Sequence, residues 1–160
     1  MLADLRSRGY AVAPDSARAI IAERRRGGQS PRPPPLEFAA EILRRDVEAY
    51  DSHAQHAGTV FYDRSVVDAL GMLNQVAPLS GEELEAYLAK YVYHRKALVF
   101  PPWRDIYVND AERDQSFAEA EAVHPKIMSW YRACGYELVE VPSGPVEQRS
   151  EFVLRMLTLP

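Results

Sequence analysis

Gly58-Thr59-Val60-Phe61-Tyr62-Asp63-Arg64-Ser65-Val66-Val67 sets the architecture of this chain. A glycine precedes a short β-branched and aromatic run, charged residues follow it, and Val66, Val67, Leu70 and Leu73 then recur at helical spacing. That pattern predicts a strand over residues 59–62 and a helix over 65–76.

The same grammar recurs on both sides. Residues 10–13 follow Gly9, residues 97–100 run into Pro101-Pro102, and residues 137–141 follow Gly135, so three more strands are expected. Helical spacing marks 16–26, through Ala17, Ile20 and Ile21, and 36–57, through Phe38, Ile42, Val47 and Tyr50. Ser80 and Glu83 form a capping box for a helix over 82–93. Asn109 or Asp110 can cap a long run to Arg132, and Gly144-Pro145 opens a last helix through Val146, Phe152, Val153 and Leu157. Pro125 should kink or break the long run near His124, and residues 27–35, with two glycines and four prolines, should form a stiff surface loop. Strands separated by helices need crossover connections, so the expected fold is α/β, with a mainly parallel sheet and helices on its faces.

Composition bounds the function. The 160 residues are 47% hydrophobic, enough for one core, and one domain over residues 1–160 is expected. No apolar run approaches the ~18 residues of a membrane span, and charge in residues 1–8 is unlike a signal peptide, so the expected location is the cytoplasm. A net charge of −4 argues against a nucleic-acid surface. Cys134 is the only cysteine, which excludes an internal disulfide and a zinc site of several thiolates.

Ligands of open parallel sheets sit at the carboxyl ends of the strands. Those ends carry Asp15 and Arg18, then Asp63 and Arg64, then Trp103 and Arg104, then Pro142, Ser143 and Gly144. Asp63 could hold a magnesium-bound water, take a proton from a substrate hydroxyl, or simply cap the next helix. The same ambiguity between chemistry and capping attaches to Asp15, which precedes residues 16–26. Two strand-end carboxylates, each with a nearby arginine, favour a phosphate and sugar site, because arginine offers a bidentate fork.

Arg8 to Ile21, Val60-Phe61-Tyr62-Asp63-Arg64, Phe100-Pro101-Pro102-Trp103 with Asp110-Ala111-Glu112-Arg113, and Gly135 to Pro142 with Val146-Glu147-Gln148-Arg149 together resemble the small bacterial AAA-family ATP-binding domains. These are relatives of the nicotinamide riboside kinase domain and of thymidylate-kinase-like folds. The resemblance covers nearly the whole chain and implies a P-loop NTPase-like three-layer sandwich binding ATP or GTP with Mg2+, and an unidentified phosphoryl acceptor. It implies that Asp63 stands near magnesium through water and Arg64 toward substrate. Asp15 and Arg18 would line the acceptor side, Arg113 would close over the phosphates from a lid at about 101–125, and Pro142, Ser143 and Gly144 would lie beside the base. Asp15, more often glutamate in the family, and Val108 and Asp114, in a lid that is usually more basic, depart from the pattern.

None of Lys90, Lys96 and Lys126 follows a glycine, so residues 1–160 contain no Gly-x-x-x-x-Gly-Lys-Ser/Thr phosphate loop. The resemblance places that loop, and the sheet's central first strand, just ahead of Leu2 to Gly9, which reads as the tail of a helix. A misplaced start, a truncated relic and a chain completed by a partner are three accounts of this. Without the loop the chain alone is expected to be inactive, and two strands are expected to lose ladder partners. The intact form would transfer or hydrolyse a terminal phosphoryl group, and the alternative is an inactive regulatory or interaction module that keeps the fold. A homo-oligomer is compatible with either.

His53 and His56 are spaced to share a helix face, and Asp46 or Asp51 could be imagined beside them in a metal site, but neither makes a strong third ligand. Tyr87, Tyr91 and Tyr93 suit packing better than base stacking. Trp103 can cover a nucleotide or anchor its loop, and Arg149 is expected on the surface.

Overall fold

The computed structural model describes residues 1–107 and 116–158. Along them run α1 (Leu2–Ser7), β1 (Ala11–Ala13), α2 (Ser16–Arg26), α3 (Pro35–Ser52), β2 (Val60–Tyr62), α4 (Val66–Val76), α5 (Gly81–Lys90), β3 (Lys96–Val99), a 3-10 turn (Arg104–Ile106), α6 (Phe117–Ala133), β4 (Glu137–Glu140) and α7 (Val146–Met156).

Both ladders are parallel, as helical crossovers require. β1 pairs with β2 in the register Ala11 to Val60 and Ala13 to Tyr62, and β3 pairs with β4 from Lys96–Glu137 to Val99–Glu140. Each pair extends one step: Asp63 N–H donates to the Ala13 carbonyl and Val141 N–H to that of Val99, both at 2.8 Å. The first of these bonds fixes the backbone of Asp63 at the strand end.

Where one mainly parallel sheet was expected, two separate two-stranded sheets are found. The break lies between β2 and β3, which are joined through α4 and α5, and each strand keeps one edge without a ladder partner among the described residues. Apolar packing bridges that break. Leu5 of α1, Phe61 of β2, Val153 and Leu154 of α7 and Val141 form one buried cluster, against which Val12 of β1 and Leu98 of β3 pack.

A second core joins the helices. Ile20 and Ile21 of α2, Phe38, Ile42 and Leu43 of α3, and Val66, Ala69 and Leu70 of α4 are buried together with Tyr91. The i, i+3, i+4 spacing of these residues puts them on single helix faces, and burying a Leu, Ile or Phe side chain contributes roughly 1.5–3 kcal/mol.

Local signals explain most boundaries. Ser80 and Glu83 make the expected capping box on α5, and Ser65 with Asp68 makes another on α4. α3 begins at Pro35, whose missing N–H costs nothing at a first helical position, and it ends at Ser52, short of the expected residue 57. α6 is capped by Ser116 with Glu119, whereas Asn109 and Asp110 lie outside the described residues. Pro125 does not break α6, which runs unbroken to Ala133.

Candidate functional site

The loop from β2 into α4 carries an unusual backbone. Arg64 has φ 70°, the left-handed region that a β-carbon disfavours by about 1–2 kcal/mol. Its neighbours determine this shape. Asp63 N–H is still tied to β1, while two residues later Ser65 is already the N-cap of α4, its hydroxyl accepting from Val67 N–H at 3.2 Å. One residue must turn the chain between ladder and helix, and that residue is Arg64.

The strain directs a guanidinium into a cage of carboxylates. Arg64 Nε lies 3.7 Å from Asp15 Oδ2, and its Nη1 lies 3.6 Å from Asp68 Oδ1. These are ion-pair distances beyond hydrogen bonding, so among the described residues the five donors of Arg64 make no hydrogen bond. The side chain is 44% exposed. Burial opposes its charge, yet Asp68, Asp15 and Asp63 together outweigh burial and hold the guanidinium above its ordinary value. A charged fork with unspent donors lining a cleft is suited to an oxyanion.

Each carboxylate has a defined position. Asp15 does two things: Oδ1 accepts from Ala17 N–H at 2.8 Å and caps α2, while Oδ2 faces Arg64 and lies 3.9 Å from Arg18 Nε. Asp63 is not the cap of α4, because Ser65 takes that role. Its carboxylate accepts no hydrogen bond among the described residues, and burial, then the charge of Asp15, raises it from its ordinary value while Arg64 and Arg18 pull it down. Asp46 of α3 is only 7% exposed; it accepts from Ser16 Oγ at 2.5 Å and leaves Oδ2 without a partner. Burial pushes Asp46 up to about 6, the Ser16 hydrogen bond working against this and the charges of Asp68 and Asp15 adding to it.

Asp15, Arg18, Arg64 and Asp68 border a cleft of about 1410 Å3 that runs from α2 and α3 to the loops after β3 and β4. Pro142 and Ser143 line its far end, and Gly144 follows at φ 156°. Asp15 and Arg18 line the end near α2, so these strand-end residues face one cleft, with Asp63 beside them on the Arg64 loop. Arg113 lies outside the described residues. Trp103 lines the cleft and donates from Nε1 to Asp105 at 3.1 Å.

Arg149, expected on the surface, instead lines the cleft and buries its Nε with no hydrogen-bond partner among the described residues. Spacing in the sequence also assigns Asp68 and Tyr131 no part in the site, and it offers Asp46 only as a weak metal ligand beside His53 and His56. The Ser65-x-x-Asp68 capping spacing was the available signal for Asp68, while Asp46 and Tyr131 reach the site only through tertiary contacts.

The residues fit a nucleotide better than a caged metal. Arg64 and Arg149 offer unspent donors to phosphate. Among the described residues no group of three or more His, Cys, Asp or Glu is placed to hold an ion; His53 and His56 set their rings edge to face at 6.4 Å, and His53 Nδ1 pairs with the Ala49 carbonyl at 2.7 Å. Magnesium needs no such group, since it commonly keeps its waters and takes one or two carboxylates beside phosphate. No helix among the described residues is long and apolar enough to cross a membrane.

No curated protein and no solved structure matches this chain. A family model described as an AAA domain does match, over residues 1–149, a family that suggests a nucleotide-binding P-loop domain. With nearly all of its length inside that match, the chain belongs to the AAA domain family.

Proposed function

We propose that this chain is an ATP- or GTP-binding domain of kinase-like type, with the nucleotide in the cleft at the strand ends. The observation that carries this reading is Arg64, held at φ 70° between Asp15 and Asp68 with its donors unspent. Strain of this kind persists where surrounding structure over-determines it, and it concentrates at ligand clamps.

When bound, the nucleotide with magnesium supplies the transferable phosphoryl group. The chain's residues then act by position and charge. Arg64 presents its fork to phosphoryl oxygens, Asp63 receives a magnesium-bound water or the proton of an acceptor hydroxyl, and Asp15 and Arg18 border the acceptor. Pro142, Ser143 and Gly144 lie beside the base, and Arg113 acts from the lid. The lysine-bearing phosphate loop is not within residues 1–160, so affinity here rests on the arginines.

Titration of the isotope-labelled chain with ATP and magnesium, followed by NMR, tests this. Shifts at Asp63, Arg64 and Ser143 with a Kd near 1 mM, worth about 4 kcal/mol, are expected. Absence of shifts at about ten times that concentration removes the nucleotide reading, and binding near 1 μM shows that the phosphate cradle is complete without the loop. The second reading is a regulatory or interaction module that keeps the fold without turnover. Phosphoryl transfer that Asp63→Asn abolishes decides for the enzyme.

A further inference from the structure

We propose that Tyr131 and Asp68 are positioning residues for Arg64, coupling α6 to the strand-end guanidinium; this rests on reading Arg64 as the phosphate-facing group.

Asp68 does more than cap. Its Oδ2 accepts from Ser65 N–H at 2.9 Å and from Ser65 Oγ at 3.2 Å, which completes the capping box. A third donor arrives from far along the chain: Tyr131 Oη of α6 donates to the same oxygen at 2.5 Å. With three donors on Oδ2, the carboxylate cannot turn, and Oδ1 is left facing Arg64 Nη1. The Asp68 side chain is 9% exposed, so water does not replace these contacts freely. Burial, then the Asp68 charge, keeps the Tyr131 phenol protonated and therefore a donor.

The neighbouring residue fastens the same two elements. Trp130 Nε1 donates to the Val67 carbonyl at 2.8 Å, so consecutive residues of α6 grip the first turn of α4. Arg64 needs such external fixing. It makes no hydrogen bond of its own among the described residues, and its φ of 70° is not one its side chain favours. Capping requires Ser65 and Asp68; Tyr131, whose Oη also lies 3.0 Å from Ser65 Oγ, contacts both members of the box from another helix and holds the carboxylate's orientation.

The test is the Arg64 side-chain Nε–H resonance in the full chain, assigned by its loss in Arg64→Lys. Tyr131→Phe should move that resonance and speed its exchange with water about tenfold, while ATP affinity falls roughly three- to tenfold, the range expected for one lost hydrogen bond. Asp68→Asn should do the same by removing the charge and keeping a capping oxygen, and it serves if Tyr131→Phe fails to fold. A purely structural role lowers the melting temperature and leaves the Arg64 resonance in place, and that result in both variants overturns the proposal. A wild-type chain that binds no ATP while its Arg64 resonance responds to Tyr131→Phe refutes the nucleotide reading and leaves the positioning contact standing.

Discussion

Asp46→Asn should stabilise the protein at neutral pH and flatten its pH dependence between about pH 4 and pH 6. The carboxyl is buried against Ser16 with one oxygen unpartnered, and burial raises it from the ordinary 3.8 to about 6. A carboxyl whose folded-state pKa is raised binds its proton more tightly folded than unfolded. Its effect is therefore absent below about pH 3.8 and fully unfavourable above about pH 6. At 1.36 kcal/mol per pKa unit, that gap corresponds to about 3 kcal/mol at pH 7. Asparagine keeps an acceptor for the Ser16 hydroxyl and carries no charge, but its amide group brings donors that also need partners, which takes back about 1–2 kcal/mol. The net gain at pH 7 is about 1–2 kcal/mol; it vanishes near pH 5 and becomes a loss of about 1 kcal/mol by pH 4, where the penalty on Asp46 has nearly gone and the cost of the amide donors remains. Urea unfolding followed by the fluorescence of Trp103 and Trp130, repeated from pH 4 to pH 8, measures both curves. Parallel curves for the two proteins across that range would refute the placement of a strained, charged Asp46 beside Ser16.

Gly71→Ala should destabilise the fold although it replaces glycine inside a helix. A β-carbon there meets Trp130 Cδ1 and Nε1 at 2.9 Å, so the indole must leave its bond to Val67; the expected loss is about 1–3 kcal/mol with a shift in Trp130 emission. Ser65→Ala removes the cap of α4 and a donor to Asp68 and should cost about 1–2 kcal/mol in urea unfolding. The corresponding change at the exposed cap, Ser80→Ala on α5, should cost less, because water reaches the amides it leaves behind.

Local physics made the elements legible. Breakers at Gly58, Gly135 and Pro101 placed the strands to within a residue or two, and apolar spacing gave 16–26 and 65–76 as helices, matching Ser16–Arg26 and Val66–Val76 with its Ser65 cap. α6 was misplaced at its start, because Asn109 and Asp110 offered caps as good in sequence as that of Ser116. Pro125 lies inside α6 without breaking it, and Trp130, five residues on, fastens the same helix to α4 through the Val67 carbonyl. Asp63 and Asp15 looked alike as strand-end aspartates, and only coordinates separate them: one caps its helix and the other leaves capping to Ser65. The split into two sheets, the buried carboxyl of Asp46 and the tyrosine that orients Asp68 all depend on residues distant in sequence, about which periodicity carries no information.

On the proposed function, Arg64 keeps an unfavourable backbone because its guanidinium serves a ligand. Arg64→Gly examines stability and binding in a single protein, since glycine accepts φ 70° without penalty and offers phosphate nothing. Thermal unfolding with and without ATP and magnesium should show the variant about 1 kcal/mol more stable when ligand-free and no longer stabilised by nucleotide. A variant that is less stable when ligand-free, or that nucleotide stabilises as strongly as the parent, would contradict the account.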